Sequence, residues 1–433
     1  MKKFLACLLI LCFAFVPFVF AGCETINLIK LEGGPTEQDE VVGNGGYVVQ
    51  KGEYIYFASG YVKTSDLGTG GLNNNFGEVE NGALYRAKVE YQTTGSEEEE
   101  NLTEKMAISN VELLLSKLVG FDNSGLYIFG NKIYFGTPAT SWASDGTVEY
   151  DQITFYSLSL NGTNLTKIYQ TTDFDGGEYK FVCVDNIVCL IVNTGSKLLK
   201  VELNGKATVL AEDIKTAVIL EDKVYYTKDN EKTTDSLDFG TVLYVKEIKS
   251  LEETKLFDED YLTIELIKMG NGKLYYTRNY LLSEKSPSST SYSYVNTLNG
   301  NTFAEGETKL LNQAGISSFV EINGGCAYIN SSKLYFKKNA ETKELSSDAT
   351  KILFTQGNFV YFKNSSALYR IDVSLSNPSS KKLSASNTIN TDYFDFDNNF
   401  VYFFVKNSST SKYELYSLDI KYLASTITPT KVK

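Results

Sequence analysis

Short runs of apolar and aromatic residues recur along this chain, each beginning at a turn of Gly, Asn, Asp or Glu. Eight copies follow one another about 49 residues apart, within the range of known repeat units. The apolar positions in each copy are consecutive, which is typical of a β-strand covered on both faces. The copies are GEYIYF (52–57), GNKIYF (130–135), DNIVCL (185–190), EDKVYY (221–226), NGKLYY (271–276), GGCAYI (324–329), GNFVYF (357–362) and NNFVYF (398–403).

A second, alternating segment follows each run. In ALYRIDV (367–373), Tyr369 and Ile371 fall on one side while Leu368 and Arg370 fall on the other, as expected for a strand nearer a sheet edge. Gly-Asn, Asn-Gly and Asp-Asn pairs at the joins suit tight hairpin turns. Each unit therefore reads as a small antiparallel sheet.

Stacking of these sheets explains the repeat. One unit cannot bury a doubly apolar strand alone, so the units must pack face to face, and closing the stack into a ring removes its exposed ends. The sequence predicts an all-β protein with a single β-propeller of eight blades. Seven blades are the alternative, because the third and sixth copies are degenerate.

One segment departs from the repeat. Residues 109–119 combine a capping-box pattern with apolar residues at helical spacing, yet they could equally form the outer strand of blade 1. We favour the strand. Cys183 and Cys189 could face each other across a hairpin, but the strand register decides whether they pair, and small buried thiols are the preferred interpretation.

The segments NGKLYYT (271–277), ALYRIDV (367–373) and YSLSLNGTNLTKIY (156–169) resemble the repeats of YWTD- and TolB-like propellers. The nearest resemblance is to bacterial surface lipoproteins whose propellers have no assigned activity. It covers nearly all of 47–425 and implies a fold. It implies no specific function, since the Tyr-Trp-Thr-Asp core is absent and Trp142 is the sole tryptophan.

The N-terminus has the pattern of an export signal. Lys2 and Lys3 precede an uncharged stretch from Phe4 to Cys23, and the join Ala21-Gly22-Cys23 resembles a bacterial lipoprotein processing site. We expect a signal peptide over 1–22 and lipidation of Cys23. An uncleaved transmembrane helix or an ordinary cleavage site are the alternatives.

Residues 23–46 read as a flexible stalk, rich in Gly and acidic residues, that precedes the propeller at 47–433. Within the stalk, residues 26–31 (INLIKL) could pair as a strand with the C-terminal repeat. The expected location is the extracytoplasmic side of the cell membrane, with the membrane contacted through the lipid anchor.

Composition excludes several functions. The 433 residues contain no histidine, which removes Ser-His-Asp and Cys-His catalysis and His-ligated zinc. The net charge of −12 disfavours nucleic acid as a partner. Arginine, the residue best suited to clamp phosphates, occurs only at Arg86, Arg278 and Arg370.

Long loops are expected on one face of the ring, where scaffolds carry binding sites. In a propeller with strands A to D running outward, the B–C loops and D–A crossings share this face. Trp142, Tyr280 and Tyr292 fall in long B–C loops and are our candidate binding residues. Packing against their own blades is the alternative for all three.

Carboxylates concentrate in the D–A crossings of the same face and could form an acidic ring around the channel mouth. Ca²⁺ is the one cofactor that such a ring could bind. The alternative is that these carboxylates are solvated loop residues with no ligand. The candidate cation-binding residues are Asp173, Asp175, Glu178, Asp258, Glu259 and Asp260.

These patterns predict a non-enzymatic, membrane-anchored module that binds a glycan, peptide or protein through the loop-rich face. A scaffold for envelope assembly is an alternative, to be recognised by a fixed protein partner. A glycan hydrolase or lyase using paired carboxylates is the less favoured one, because no catalytic constellation is visible and fold alone does not determine function.

Overall fold

The computed structural model describes residues 41, 43, 45–63, 79–94, 103–142, 148–171, 174, 177–231, 240–257, 259–260, 262–267, 273–280, 290–296, 303, 305–364, 367–383, 389–397, 400–420 and 430–433. The described residues form strands and turns and contain no helix. The strands make eight four-stranded antiparallel sheets, each built from four consecutive strands. The protein is an eight-bladed β-propeller, which confirms the predicted fold and excludes seven blades.

The first half of the ring holds blades 1 to 4. Blade 1 comprises β1 (Val48–Lys51), β2 (Tyr54–Ala58), β3 (Ala83–Thr94) and β4 (Thr103–Leu118). Blade 2 comprises β5 (Tyr127–Phe129), β6 (Lys132–Trp142), β7 (Val148–Ser159) and β8 (Thr166–Gln170). Blade 3 comprises β9 (Glu178–Val184), β10 (Ile187–Asn193), β11 (Lys197–Glu202) and β12 (Ala207–Glu212). Blade 4 comprises β13 (Ile214–Leu220), β14 (Lys223–Asp229), β15 (Thr241–Glu247) and β16 (Glu253–Phe257).

The second half holds blades 5 to 8. Blade 5 comprises β17 (Leu262–Ile267), β18 (Leu274–Tyr280), β19 (Thr290–Asn296) and β20 (Glu307–Leu311). Blade 6 comprises β21 (Ile316–Ile322), β22 (Gly325–Asn330), β23 (Lys333–Lys338) and β24 (Glu341–Ser346). Blade 7 comprises β25 (Lys351–Gln356), β26 (Phe359–Lys363), β27 (Leu368–Asp372) and β28 (Lys381–Lys382). Blade 8 comprises β29 (Ile389–Asp397), β30 (Phe400–Lys406), β31 (Tyr413–Asp419) and β32 (Thr430–Lys431).

The repeated aromatic run is the second strand of every blade, and both of its faces are covered. Its fifth position is buried in all eight copies, with no side chain more than 4% exposed. These residues are Tyr56, Tyr134, Cys189, Tyr225, Tyr275, Tyr328, Tyr361 and Tyr402. The following position points to the opposite face and is buried as well. The first strands of neighbouring blades contact one another around the axis.

An aromatic pair joins the second and third strands in seven blades. The two rings lie opposite each other in the antiparallel register and stack with their planes within 25°. Such a pair adds about 0.5–1.5 kcal/mol beyond its area burial. In blade 3 the sixth position of the run is Leu190, which pairs with Val201, and the lack of aromatic residues there explains why the third copy looked degenerate. The pairs are Phe57–Tyr85, Phe135–Tyr156, Tyr226–Tyr244, Tyr276–Tyr294, Tyr328–Tyr335, Phe362–Tyr369 and Phe403–Tyr416.

All three arginines are buried. Arg86 donates to Glu112 at 2.8 Å and, across the blade boundary, to the Leu160 carbonyl at 3.0 Å. Lys200 occupies the equivalent position in blade 3 and donates to the Ile248 carbonyl of blade 4 at 2.6 Å. A cation in the third strand thus ties one blade to the next. Arg370 is only 3% exposed.

The ring closes where blade 8 meets blade 1, and aromatic side chains fill this junction. The Phe404 ring lies 5.1 Å from that of Tyr47 and 5.7 Å from that of Tyr61, and Tyr61 also contacts Tyr413 at 5.8 Å. We call these four residues the closure seam. Among the described residues, all four strands of blade 8 come from 389–431. Residues 26–31, which could pair with this repeat, lie outside the described residues.

The outer strand of blade 1 includes the segment whose structure the sequence left open. Residues 109–118 lie in β4, so the preferred interpretation, a strand, is confirmed. Asn110 has a positive φ of 51°, and the register between β3 and β4 shifts nearby. The helical spacing arises because a bulged strand changes which side chains face the core. Across the described part of the chain we find no helix with the length and apolar character that a bilayer crossing requires.

The cysteines of the described residues are free thiols. Cys183 pairs with Val188 across the hairpin, whereas Cys189 pairs with Val182, so the two sulfurs lie on opposite faces of blade 3. Burial raises the pKa of Cys189 to about 11 and that of Cys326 to about 12. We call Cys189 and Cys326 the two buried thiols.

Three tyrosines of the interior are equally shielded. Burial raises the pKa of each to about 12. Tyr179 donates to the Gly125 carbonyl at 2.8 Å and accepts from the Gly136 amide at 2.9 Å, so one phenol joins blade 3 to blade 2. The three core tyrosines are Tyr56, Tyr179 and Tyr225.

Candidate functional site

The two faces of the ring differ in the length of their connections. We call the face with the A–B and C–D turns the turn face, and the one with the B–C loops and D–A crossings the loop face. The B–C connection spans 59–82 in blade 1, but only 331–332 in blade 6. In blade 2 the strands themselves extend into the expected loop, so Trp142 is the last residue of β6 and pairs with Val148.

The structure distributes the candidate residues unevenly. Glu178 is half-buried at the start of β9, on the loop face of blade 3. Asp173, Asp175 and Asp258 lie outside the described residues, as does the side chain of Trp142. Among the described residues, no group of three or more Cys, Asp or Glu side chains is placed to hold a metal ion. The acidic ring therefore stays a prediction.

Three candidates do come together at blade 5. Tyr280 ends β18 and Tyr292 lies in the neighbouring strand β19, both half-buried. Their rings meet edge to face, with centroids 5.8 Å apart and planes at 81°. Glu259, in the crossing from blade 4, is exposed and lies near Tyr280. Burial first, and then the Glu259 charge, raise the pKa of Tyr280.

Arg278 lies directly beneath this pair and was not among the predicted site residues. Its guanidinium carbon is 3.9 Å from the centre of the Phe257 ring and 4.4 Å from that of Tyr294, so the cation is held between two aromatic faces. It forms an ion pair with Glu307. Its Nε is buried without a hydrogen-bond partner among the described residues.

The lower end of the cluster is closed by a second phenol. Tyr276 is fully buried, stacks on Tyr294 with centroids 5.6 Å apart, and donates to the Glu307 carboxylate. Burial and the Glu307 carboxylate raise the pKa of Tyr276. On the outer side, the ammonium of Lys309 lies 3.4 Å from the centre of the Tyr292 ring. The blade 5 site consists of Glu259, Arg278, Tyr280, Tyr292, Glu307 and Lys309.

Comparison with blade 4 shows what is particular to this site. Blade 4 repeats the lower part, since Tyr226 stacks on Tyr244 and donates to Glu253, with Lys228 above the rings. The positions that correspond to Tyr280 and Tyr292 hold Asn230 and Val242, both buried. Blade 5 alone of these two carries an aromatic pair open to the loop face.

A simple signal could have identified Arg278 from the sequence. Two residues after the aromatic run ends, the repeat has Ser59 in blade 1 and Thr137 in blade 2, but Lys228 and Arg278 in blades 4 and 5. The other four copies have Val192, Ser331, Asn364 and Val405 there, so a cation at this position is particular to blades 4 and 5. Glu307 and Lys309 gave no comparable signal, because ETK also opens β16 and β24.

The described carboxylates with a resolved pKa shift are perturbed in one direction. Burial would raise the pKa of Glu253, but hydrogen bonds from Tyr226 and Lys246 lower it. Hydrogen bonds from Asn407 and Lys431 lower the pKa of Glu414. A general acid for glycoside hydrolysis needs the opposite shift.

Comparisons with known proteins identify no family. No protein-family model matches the sequence, and no curated protein gives a significant match. The propeller domain of the Trilobed protease from Pyrococcus furiosus is similar at 12% identity, over 72% of this chain and 96% of that domain, with a TM-score of 0.40. Dipeptidyl peptidase 4 of Porphyromonas gingivalis is similar at 10% identity, over 81% of this chain and 59% of its own, with a TM-score of 0.46. An oligogalacturonate lyase in complex with manganese is similar at 15% identity, over 67% and 86% of the chains, with a TM-score of 0.39.

Proposed function

We propose that this protein is a non-enzymatic binding module, anchored at the outer side of the cell membrane through a lipid on Cys23, and that it contacts its ligand at the blade 5 site. The observation that carries the proposal is the half-buried, edge-to-face pair of Tyr280 and Tyr292 at the open end of a long B–C connection. Rigid aromatic side chains in such positions supply contact area at low entropic cost.

Binding is favoured over hydrolysis by the electrostatics of the site. Glu307 is engaged by Arg278 and by the Tyr276 phenol, so its oxygens are committed to contacts within the protein. Glu259 is exposed. Carboxylate-based glycosidases need two carboxylates free to flank the bond that is cleaved.

The chain enters the propeller on the face that carries the blade 5 site. The Gly46 carbonyl accepts a hydrogen bond from the Leu126 amide at 2.9 Å, so the chain enters the propeller at the loop face, where β1 begins. The 17 residues between Cys23 and Val41 allow these two residues to lie at most about 60 Å apart. A ligand within that distance of the membrane is therefore the kind that this module would hold.

Thermal shift of purified 24–433 tests the proposal, with calcium, EDTA, cell-wall fragments, and glycan and peptide panels as probes. A ligand at 100 times its dissociation constant should stabilise the fold by about 2.7 kcal/mol. Tyr280→Ala and Tyr292→Ala should abolish the shift. Tyr91→Ala is the matched control, since Tyr91 is an exposed tyrosine on the turn-face side of blade 1. An equal loss with Tyr91→Ala, or a shift that neither site variant changes, would refute the assignment.

A further inference from the structure

The loop-face edge of blade 5 carries a row of side chains that runs outward from the axis of the ring. Leu262 pairs with Tyr280 in the register between β17 and β18, so Glu259, in the crossing just before β17, reaches the blade beside Tyr280. Tyr292 follows in β19 and Lys309 in β20. The row therefore consists of an exposed acid, two half-buried phenols and an exposed ammonium, in that order.

The two ends of this row have opposite charges. At the inner end, Glu259 and Asp260 are adjacent in the crossing and both are exposed. At the outer end, the ammonium of Lys309 lies 3.4 Å from the centre of the Tyr292 ring and covers one face of it. Lys309 forms no ion pair with the carboxylates of the described residues. Its three donors therefore suit an anionic group of a ligand, whereas the inner end attracts a cation.

The other charges near the row cancel in pairs. Arg278 lies beneath the phenols, is only 8% exposed and is paired with Glu307. At the loop-face end of β14 in blade 4, Asp229 is paired with Lys215 at 2.8 Å. Neither pair adds a net charge, so the row keeps a negative inner end and a positive outer end.

The length of the row matches a short extended peptide. Neighbouring strands of a sheet lie about 4.8 Å apart, so three strand spacings separate the two ends by about 14 Å. An extended peptide rises about 3.3 Å per residue, and the side chains of its residues i, i+2 and i+4 point to one side over about 13 Å. The rings of Tyr280 and Tyr292, with centroids 5.8 Å apart, lie between the ends, where the side chain of residue i+2 falls.

We infer that the blade 5 site binds an extended peptide segment that has a basic, an apolar and an acidic residue at alternate positions. This inference rests on the proposed function and specifies its ligand class. The basic side chain pairs with Glu259 and Asp260, and the apolar side chain packs on Tyr280. The acidic side chain pairs with Lys309. Neutral sugars and uronates lack the cation that the inner end of the row attracts.

Isothermal titration calorimetry of purified 24–433 tests the ligand class with the blocked peptides acetyl-KSXSE-amide, in which X is Leu, Phe, Tyr, Trp or Pro. The controls for the tightest of these peptides are KSXSK and ESXSE, which have like charges, and KXSSE, which moves the apolar side chain to the other side. We expect KSXSE to bind at least about threefold tighter than each control. Its advantage over the like-charged peptides should shrink in about 1 M NaCl. Equal binding of KSXSE and its controls, or no binding of KSXSE, would overturn the inference.

Charge variants test the two ends separately. Lys309→Glu should reverse the preference, so that KSXSK binds tighter than KSXSE, and Glu259→Lys should remove the discrimination between KSXSE and ESXSE. A merely structural role of either residue would weaken all peptides alike. Lys338→Glu is the matched control, because Lys338 is an exposed lysine at the turn-face end of β23, and it should keep the native preference. A native preference in Lys309→Glu would contradict the assignment of the outer end.

The outcomes separate the inference from the proposed function. Tyr280→Ala should abolish the binding of KSXSE. Tyr280-dependent binding of a hexasaccharide, neutral or acidic, without any peptide binding would overturn the peptide inference and leave the binding module standing. Absence of any Tyr280-dependent binding, to peptides or sugars, would remove both.

Discussion

Phe404→Ala should open the propeller at one defined place. The Phe404 side chain is fully buried in the closure seam, with its ring 5.1 Å from that of Tyr47 and 5.7 Å from that of Tyr61. Truncation of a buried phenylalanine costs about 3–5 kcal/mol. For a ring of roughly 390 residues the unfolding entropy is about 0.8 kcal/mol per kelvin, so the melting temperature should fall by about 5 °C.

Phe362→Ala is the matched control, because Phe362 is equally buried in the second strand of blade 7 and stacks on Tyr369 within its own blade. Both variants should lose similar stability. They should differ in where protection from hydrogen exchange is lost, because Phe404 contacts residues of blade 1 whereas Phe362 is not part of the closure seam.

Hydrogen exchange followed by mass spectrometry measures the difference. In Phe404→Ala the amides of β1 and β2 should exchange faster, although these strands are about 350 residues away in sequence. In Phe362→Ala they should keep their native protection. If β1 and β2 respond equally in the two variants, the aromatic contacts are not what closes the ring.

Three further predictions concern the anchor and the titrating groups. Cys23→Ala should move the protein from the membrane to the soluble fraction in cell fractionation; an unprocessed protein that stays membrane-bound would exclude lipidation. Burial raises the folded-state pKa of the three core tyrosines to about 12 from the ordinary 10, so their contribution to stability is intact below pH 10 and is lost as the pH rises to 12, about 3 kcal/mol for each tyrosine. Circular dichroism should then show unfolding between pH 10 and 12, and a native spectrum at pH 12 with titration at pH 10 by absorbance would contradict this. In native 24–433 at pH 8, a thiol reagent should modify half-buried Cys183 and spare the two buried thiols until urea is added, so three fast-reacting thiols would refute their burial.

The repeat made the architecture predictable, because each blade has to bury the same strand in the same way. The fifth position of the run is buried in all eight blades, including Cys189, where the residue type changes. In the degenerate third copy, Leu190 and Val201 lie opposite each other where the sixth position of the run pairs aromatically in most other blades. The repeat of the buried run therefore predicted the number of blades, even in the copy where its aromatic residues are replaced.

The blade 5 site was predictable only in part. Tyr280, Tyr292 and Glu259 stood out as aromatic or acidic residues of the loop face, but their partners come from other strands. Arg278 does not interrupt the strand pattern around it. Its contact with Phe257 depends on how blades 4 and 5 pack. Sequence spacing does not encode a contact across blades, so the side chains that support the site could not be derived from it.

The closure of the ring has a consequence for the order of its parts. In the described residues each blade is formed by one continuous segment of the chain. The first and last blades meet through side chains and not through a shared sheet. The position of the break between first and last blade is therefore not essential to the ring. Joining residues 47 and 433 with a linker and cutting at residues 347–350, between blades 6 and 7, should give a circular permutant with the same ring. Whole blades could likewise be copied by duplication, as the neighbouring KVYYTKD (223–229) and KLYYTRN (273–279) suggest for blades 4 and 5.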